Sequence, residues 1–158
     1  MTDMLKNCQL CPRACGADRT KSRGACGAGI EIEAARASLH MWEEPPISGT
    51  NGSGTVFFSH CSLGCVFCQN RKISRREAEG QNITADALAK TFLSLEKKGS
   101  HNINLVTGAH YVPQIIEALQ IARKQGLSLP VVYNSSGYEQ VETLQLLDGH
   151  IDVYLPDY

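Results

Sequence analysis

From residue 54 onward the chain alternates short apolar runs with helical repeats, and that alternation does most to narrow the folds open to it. Thr55 to Ser59 is an apolar stretch that reads as a core strand. Thr84 is placed to cap a helix whose Leu88, Phe92 and Leu95 recur on one face and which ends near Lys97, Lys98 and Gly99. Ile103 to Thr107 then reads as a short buried strand. Ile115, Ile116, Leu119 and Ala122 line a second helix that stops at Gly126, and Pro130 to Tyr133 supplies a third strand. Glu139 to Leu147 gives another helix and Ile151 to Leu155 a fourth strand. Strand, helix, strand in repetition implies right-handed crossovers and a parallel sheet with helices on one side, an α/β fold. Ligands gather at the carboxyl ends of such strands. The loop after the first strand, Gly108 to Tyr111, Asn134 to Tyr138, and Asp157 all fall at those ends, so one mouth is expected to collect them.

The first fifty residues have a different texture. They show no sustained period of strand or helix and carry much Gly, Pro, Asn and Ser, so they read as an irregular cap, residues 1–53, on a core of residues 54–158. The cap needs something other than a large apolar core to order it, and Cys8, Cys11, Cys15 and Cys26 are the obvious staple. At 158 residues the whole is within the size of one ordinary domain. A formal charge of −1 gives no global basic field, which argues against nucleic acid as a partner. No signal-like apolar run opens the chain and no segment offers the roughly 18 consecutive apolar residues of a membrane span, so a cytoplasmic protein with no membrane partner is expected.

The seven cysteines sharpen the functional reading. In a compartment that keeps thiols reduced they argue for metal or redox chemistry over disulfides, and the odd number resists complete pairing. Three of them, Cys61, Cys65 and Cys68, form a Cys-x3-Cys-x2-Cys run directly after the first strand. Three thiolates hold three corners of a cubic iron-sulfur cluster and leave the fourth iron open to a substrate or cofactor, whereas an electron-transfer cluster usually takes four. Two other readings stay open: zinc completed by His60 or a distant residue, and a four-thiolate carrier that borrows an early cysteine. The early four have spacing that fits structural zinc or a second iron-sulfur cluster, since both accept four thiolates.

The stretch His60-Cys61-Ser62-Leu63-Gly64-Cys65-Val66-Phe67-Cys68-Gln69-Asn70 resembles the cluster loop of radical S-adenosylmethionine (SAM) enzymes, including the aromatic before the last cysteine. Cys11-Pro12-Arg13-x-Cys15-Gly16 and Glu44-Pro45-Pro46-Ile47-Ser48-Gly49-Thr50-Asn51-Gly52 resemble the branch related to pyruvate formate-lyase activating enzyme. The resemblance implies a partial parallel (β/α) barrel and a 4Fe-4S cluster on Cys61, Cys65 and Cys68. It also implies SAM on the open iron, cleaved by one electron to methionine and a 5′-deoxyadenosyl radical; the cofactor carries the hard chemistry and the protein positions it. Phe67 would lie beside the adenine. Where the superfamily often shows Gly-Gly-Glu-Pro after the second strand, this chain has Thr107-Gly108-Ala109-His110-Tyr111. The Glu is missing, leaving Thr107, Gly108 and His110 as candidate contacts. Asn134, Ser136 and Asp157 are the remaining cofactor candidates, Asn134-Ser135-Ser136-Gly137 standing where activating enzymes show Asp-Thr-Asn-Gly.

Asp157 and Tyr158 fall where the family's fourth strand continues through Asp-x-Lys, so about four of the superfamily's six units are expected here, and a complementary C-terminal fragment is an expected partner. An electron donor such as flavodoxin or ferredoxin is implied, with Arg71, Lys72, Arg75 and Arg76 as the only concentrated basic patch. A glycyl-radical protein is the leading substrate class implied. The reading from a different class is a non-catalytic iron-sulfur or zinc module for electron transfer or interaction. Gly49 to Gly54 superficially suggests a phosphate loop, but it lacks the Lys-Ser/Thr ending and precedes a strand, so that function is rejected.

Overall fold

A computed structural model describes residues 2–157; Tyr158, where the family's fourth strand was expected to continue, lies outside the described residues. Among the described residues six strands form one sheet, in the order β3 (Gln81–Ile83), β1 (Ile32–His40), β2 (Ser53–Phe58), β4 (Ile103–Val106), β5 (Val131–Ser135) and β6 (Val153–Pro156). The last four are mutually parallel and join side by side without closing. The helices between them are α3 (Ala85–Lys97), α4 (Val112–Lys124) and the short α5 (Val141–Leu146). This is the expected partial (β/α) arrangement.

The apolar periodicity accounts for it. Leu88, Phe92 and Leu95 of α3 and Ile115, Ile116, Leu119 and Ala122 of α4 are all buried against one face of the sheet, where Val56, Phe58, Leu105 and Tyr133 meet them. The Thr84 hydroxyl accepts from the Ala87 amide at 3.2 Å and starts α3 as its residue type dictates. The opposite face carries Thr55, Asn104 and Asn134, polar residues that a helix would not cover.

The cap is less separate than its composition implies. Ile32–His40 forms a nine-residue strand, β1, antiparallel to β2, and the three-residue β3 (Gln81–Ile83) adds outside it. Alternation fails to announce β1 because its middle is Ala-Ala-Arg-Ala and because a bulge between Ala34 and Arg36 breaks the period of two. Two single helical turns, α1 (Pro45–Ser48) and α2 (Arg71–Ser74), sit on the flanking loops. No helix among the described residues is long and apolar enough to cross a membrane.

Candidate active site

The carboxyl ends of the parallel strands are tied to one another by the backbone. The Thr107 amide donates to the Asn134 carbonyl at 2.8 Å and the Asp157 amide to the Ser135 carbonyl at 2.8 Å. These bonds bring the loops expected at the mouth to one end of the sheet.

The loop after β2 is the most heavily anchored of them. His60 adopts a positive φ of 69° and is buried. Its Nε2 lies 3.0 Å from the Glu33 carboxylate on β1, and its Nδ1 lies 3.2 Å from the Arg75 carbonyl. Arg23 reaches the same carboxylate at 2.6 Å. Both ring nitrogens are therefore occupied, and His60 fastens the start of the loop to β1 instead of completing a zinc site. Further along, Arg75 donates to the Gly64 carbonyl at 3.1 Å and to the Cys65 carbonyl at 2.9 Å. From the cap, Arg13 donates to the Ser62 carbonyl and, at 3.2 Å, to the Leu63 carbonyl. Gly64, at φ 72°, makes the reversal between the two clamps in a conformation that side chains disfavour.

Of the basic patch that the sequence predicts, Arg75 turns its guanidinium inward onto these carbonyls, while Arg71, Lys72 and Arg76 are exposed. Replacing Arg75 by Met should leave four-strand packing intact yet let the loop loosen, lowering iron retention by about 10-fold or more at limiting metal. Chelator competition against the parent protein checks it.

Within this framework Cys61, Cys65 and Cys68 are free thiols, each partly exposed. Cys68 Sγ lies 3.4 Å from the Ser74 hydroxyl. Cys61 opens onto a cleft of about 500 Å³ that Arg13, Arg71, Arg75 and Arg76 also line, with Cys26 on its cap side. Among the described residues no three Cys, His, Asp or Glu side chains are drawn together to metal-binding distance. What the chain fixes is the backbone that carries the thiols. Three soft, unoxidised donors on an anchored loop beside a cationic cleft suit an anionic thiolate cluster, so the donor set fits an iron-sulfur group. Val66 and Phe67 stand at the loop tip, each 85% exposed, so the Phe67 ring is available to a ligand and is not a core residue.

The other expected contacts divide. Thr107 sits at a positive φ of 53° at the end of β4. Gly108 is buried, and a Cβ there would come within 2.6 Å of Ile115 Cδ1, so its smallness serves packing. His110 is buried as well, its Nε2 2.8 Å from the Ser59 carbonyl. It braces the end of β2, the structural role open to a histidine at this position. Burial holds its pKa down to about 3, against the pull of the Ser59 carbonyl toward the protonated ring, and the Arg19 charge adds to the depression. The unfolded chain takes up that proton near the ordinary value of 6.5, so stability is full above it and declines as pH falls toward 3. His110 should therefore cost the fold about 1 kcal/mol by pH 5.5. Denaturant midpoints at pH 7.5 and 5.5 should show the decline, and His110→Gln should flatten it.

Asn134 is buried at the end of β5 and donates to Glu43 Oε2 at 3.3 Å; Asn104 donates to the same oxygen at 2.9 Å. The side-chain amide oxygen of Asn104 is buried without a partner. Ser135 accepts from the Gly137 amide at 2.8 Å and donates to Glu139 at 2.7 Å, while Ser136 is half-buried and Asp157 exposed. Sequence reasoning missed Glu43 and both arginine clamps. Only the proximity of Glu43 to the Glu44-Pro45-Pro46 motif, and of Arg13 to Cys11, hinted at them.

A sheet of parallel β/α units with a three-cysteine loop at the end of its first parallel strand defines a cluster-bearing class of α/β protein. The chain belongs to the radical SAM superfamily, whose family model matches residues 55–155. It is also similar to a protein of Methanocaldococcus jannaschii named "Uncharacterized protein MJ0674", at 32% identity over 99% of this chain and 46% of the relative. The chain thus spans about half the length of that curated relative. No solved structure matches it.

Proposed function

We propose that this chain is the cluster- and SAM-binding part of a radical SAM enzyme of the kind related to glycyl-radical activating enzymes, acting by hydrogen abstraction from a glycyl-radical protein or a small substrate. The observation that supports it is the clamped loop: three free thiols held by Arg13, Arg75 and His60 beside an arginine-lined cleft at the carboxyl end of the first parallel strand. A cluster held by Cys61, Cys65 and Cys68 would supply the single electron for reductive cleavage of SAM.

The protein's own part is to hold and to screen. Cys61, Cys65 and Cys68 would hold the iron, and the exposed Phe67 ring offers a flat apolar surface to the adenine. Ser136, half-buried, and the exposed Asp157 would supply hydrogen bonds to the ribose and amino groups, with Asn134 at the end of β5 held beside them by Glu43. The free edge of β6, with Val153 and Tyr154 exposed, is where a complementary segment would add a further strand. Anaerobic reconstitution tests the reading. A cluster whose reduced-state paramagnetic signal changes on adding SAM supports it; a cluster indifferent to SAM favours the electron-carrier module, and zinc at the loop sinks both.

Flavodoxin or ferredoxin is the electron donor this reading calls for, and the exposed Arg71, Lys72 and Arg76 beside the loop suit an acidic surface. Reversing those three charges to Glu should slow reduction by flavodoxin about 3- to 10-fold at low salt. Reduction by dithionite, which needs no docking, should keep its rate; slowing of both would remove the docking role.

A further inference from the structure

Arg19 is the largest of the fully buried side chains, at 2% exposure, and among the described residues no carboxylate pairs with it. Its guanidinium donates to the Gly29 carbonyl at 2.9 Å, donates to the His110 carbonyl, and lies 5.4 Å from the centre of the Tyr111 ring. Carbonyls and a ring satisfy its N–H groups but leave its charge unbalanced, and burying a charge without a counter-charge is costly. The remaining neighbour is sulfur: Nη1 lies 3.9 Å from Cys8 Sγ.

The local backbone gathers more sulfur around it. The Cys8 amide donates to the Ala17 carbonyl at 3.1 Å and the Gly16 amide to the Cys8 carbonyl at 3.0 Å, closing a tight loop that carries Cys8, Cys11 and Cys15. Ala14 takes a positive φ of 39° within that loop, a conformation a non-glycine residue adopts at some cost. A second turn, in which the Gly24 amide donates to the Ala28 carbonyl at 2.9 Å, carries Cys26. The two turns face each other: a Cβ at Gly24 would lie 3.6 Å from Cys26 Sγ and 3.8 Å from Cys15 Sγ. None of the four is in a disulfide.

We propose that Cys8, Cys11, Cys15 and Cys26 form a tetrathiolate metal centre in the cap, and that the buried Arg19 is the positioning residue that balances its charge. Binding a divalent ion by four thiols releases their protons and leaves a dianionic centre; an oxidised 4Fe-4S cluster on four thiolates carries the same charge. Either therefore answers the unbalanced guanidinium. Among the described residues the four sulfurs have not converged, so metal binding would draw the two turns together. The centre would also brace the catalytic loop, because Arg13 in the same turn clamps Ser62 and Leu63.

The test uses the full chain with Cys61, Cys65 and Cys68 replaced by Ala, so that its metal reports the cap alone and the outcome is independent of the SAM chemistry proposed above. About one zinc, or about four irons with matching sulfide, per chain is expected, and the element found distinguishes the two sources. Less than about a tenth of an equivalent of either, after anaerobic reconstitution with each in turn, overturns the centre. In the same background Arg19→Gln should raise the pH at which half the metal is lost to a chelator by about one unit or more, because thiolates without the opposing charge protonate more readily. Arg19→Lys keeps the charge and should stay within about half a unit of the parent. An unshifted Arg19→Gln overturns the role of Arg19. Should Arg19→Gln not fold, a folded Arg19→Lys that shifts by about a unit overturns it instead.

Discussion

On the reading proposed above, replacing Cys61, Cys65 and Cys68 together by Ala is expected to abolish the SAM-responsive paramagnetic signal and to lower the iron held at the loop by on the order of 10-fold or more. Beside the loop only the Cys26 thiol, across the shared cleft, is a further sulfur donor, and one thiolate does not replace three. His60 is engaged at both ring nitrogens, by Glu33 and by the Arg75 carbonyl, and the clamps of Arg13 and Arg75 hold backbone carbonyls and offer no metal donor. Single replacements should fall nearly as far, since a site-differentiated cluster has no spare protein ligand. Iron retained in the cap does not confuse the result, because the signal that changes with SAM belongs to the open iron of the loop. A triple variant that still responds to SAM would remove Cys61, Cys65 and Cys68 from the mechanism.

How much of this was legible in the sequence depended on the kind of interaction. The helices α3 and α4 and the strands β2, β4 and β5 were readable because burial imposes a period, and Leu88, Phe92, Ile115 and Leu119 keep to it. Strand β1 was not, because small residues and a bulge erase the alternation between Ile32 and His40. The cysteine loop was readable because ligand spacing is local. Its supports were not: Arg13 and Arg75 bind carbonyls, which every residue has, so nothing in the composition marks their partners. The same limit explains Gly108 and His110. Their positions at the end of β4 invited a cofactor role, and only the approach of Ile115 and of the Ser59 carbonyl reveals that both are buried in support of the strand ends.

Glu33 is where that hidden support concentrates, and its loss should be the costliest change among the loop's supports. Its side chain is 6% exposed and receives Arg23 at 2.6 Å and His60 Nε2 at 3.0 Å, joining β1, the cap and the first residue of the cluster loop. Its main chain serves the same joint, since the Ser59 amide donates to the Glu33 carbonyl at 2.8 Å. Glu33→Ala removes the carboxylate and leaves a buried imidazole and a half-buried guanidinium facing each other at 3.1 Å. Breaking a buried ionic group from one side costs about 3 kcal/mol, reduced somewhat here because Arg23 reaches solvent. Glu33→Gln keeps an acceptor for one neighbour and should cost about half as much. Urea titration at pH 7.5 measures both, with the slope against denaturant unchanged if only stability has moved. Because His60 sets the direction in which the loop leaves β2, the Ala variant should also retain less iron than its stability alone accounts for. A Glu33→Ala protein as stable as the parent would mean that Arg75 and the Ile73 carbonyl, which accepts from the His60 amide at 2.7 Å, are enough to hold the loop in place.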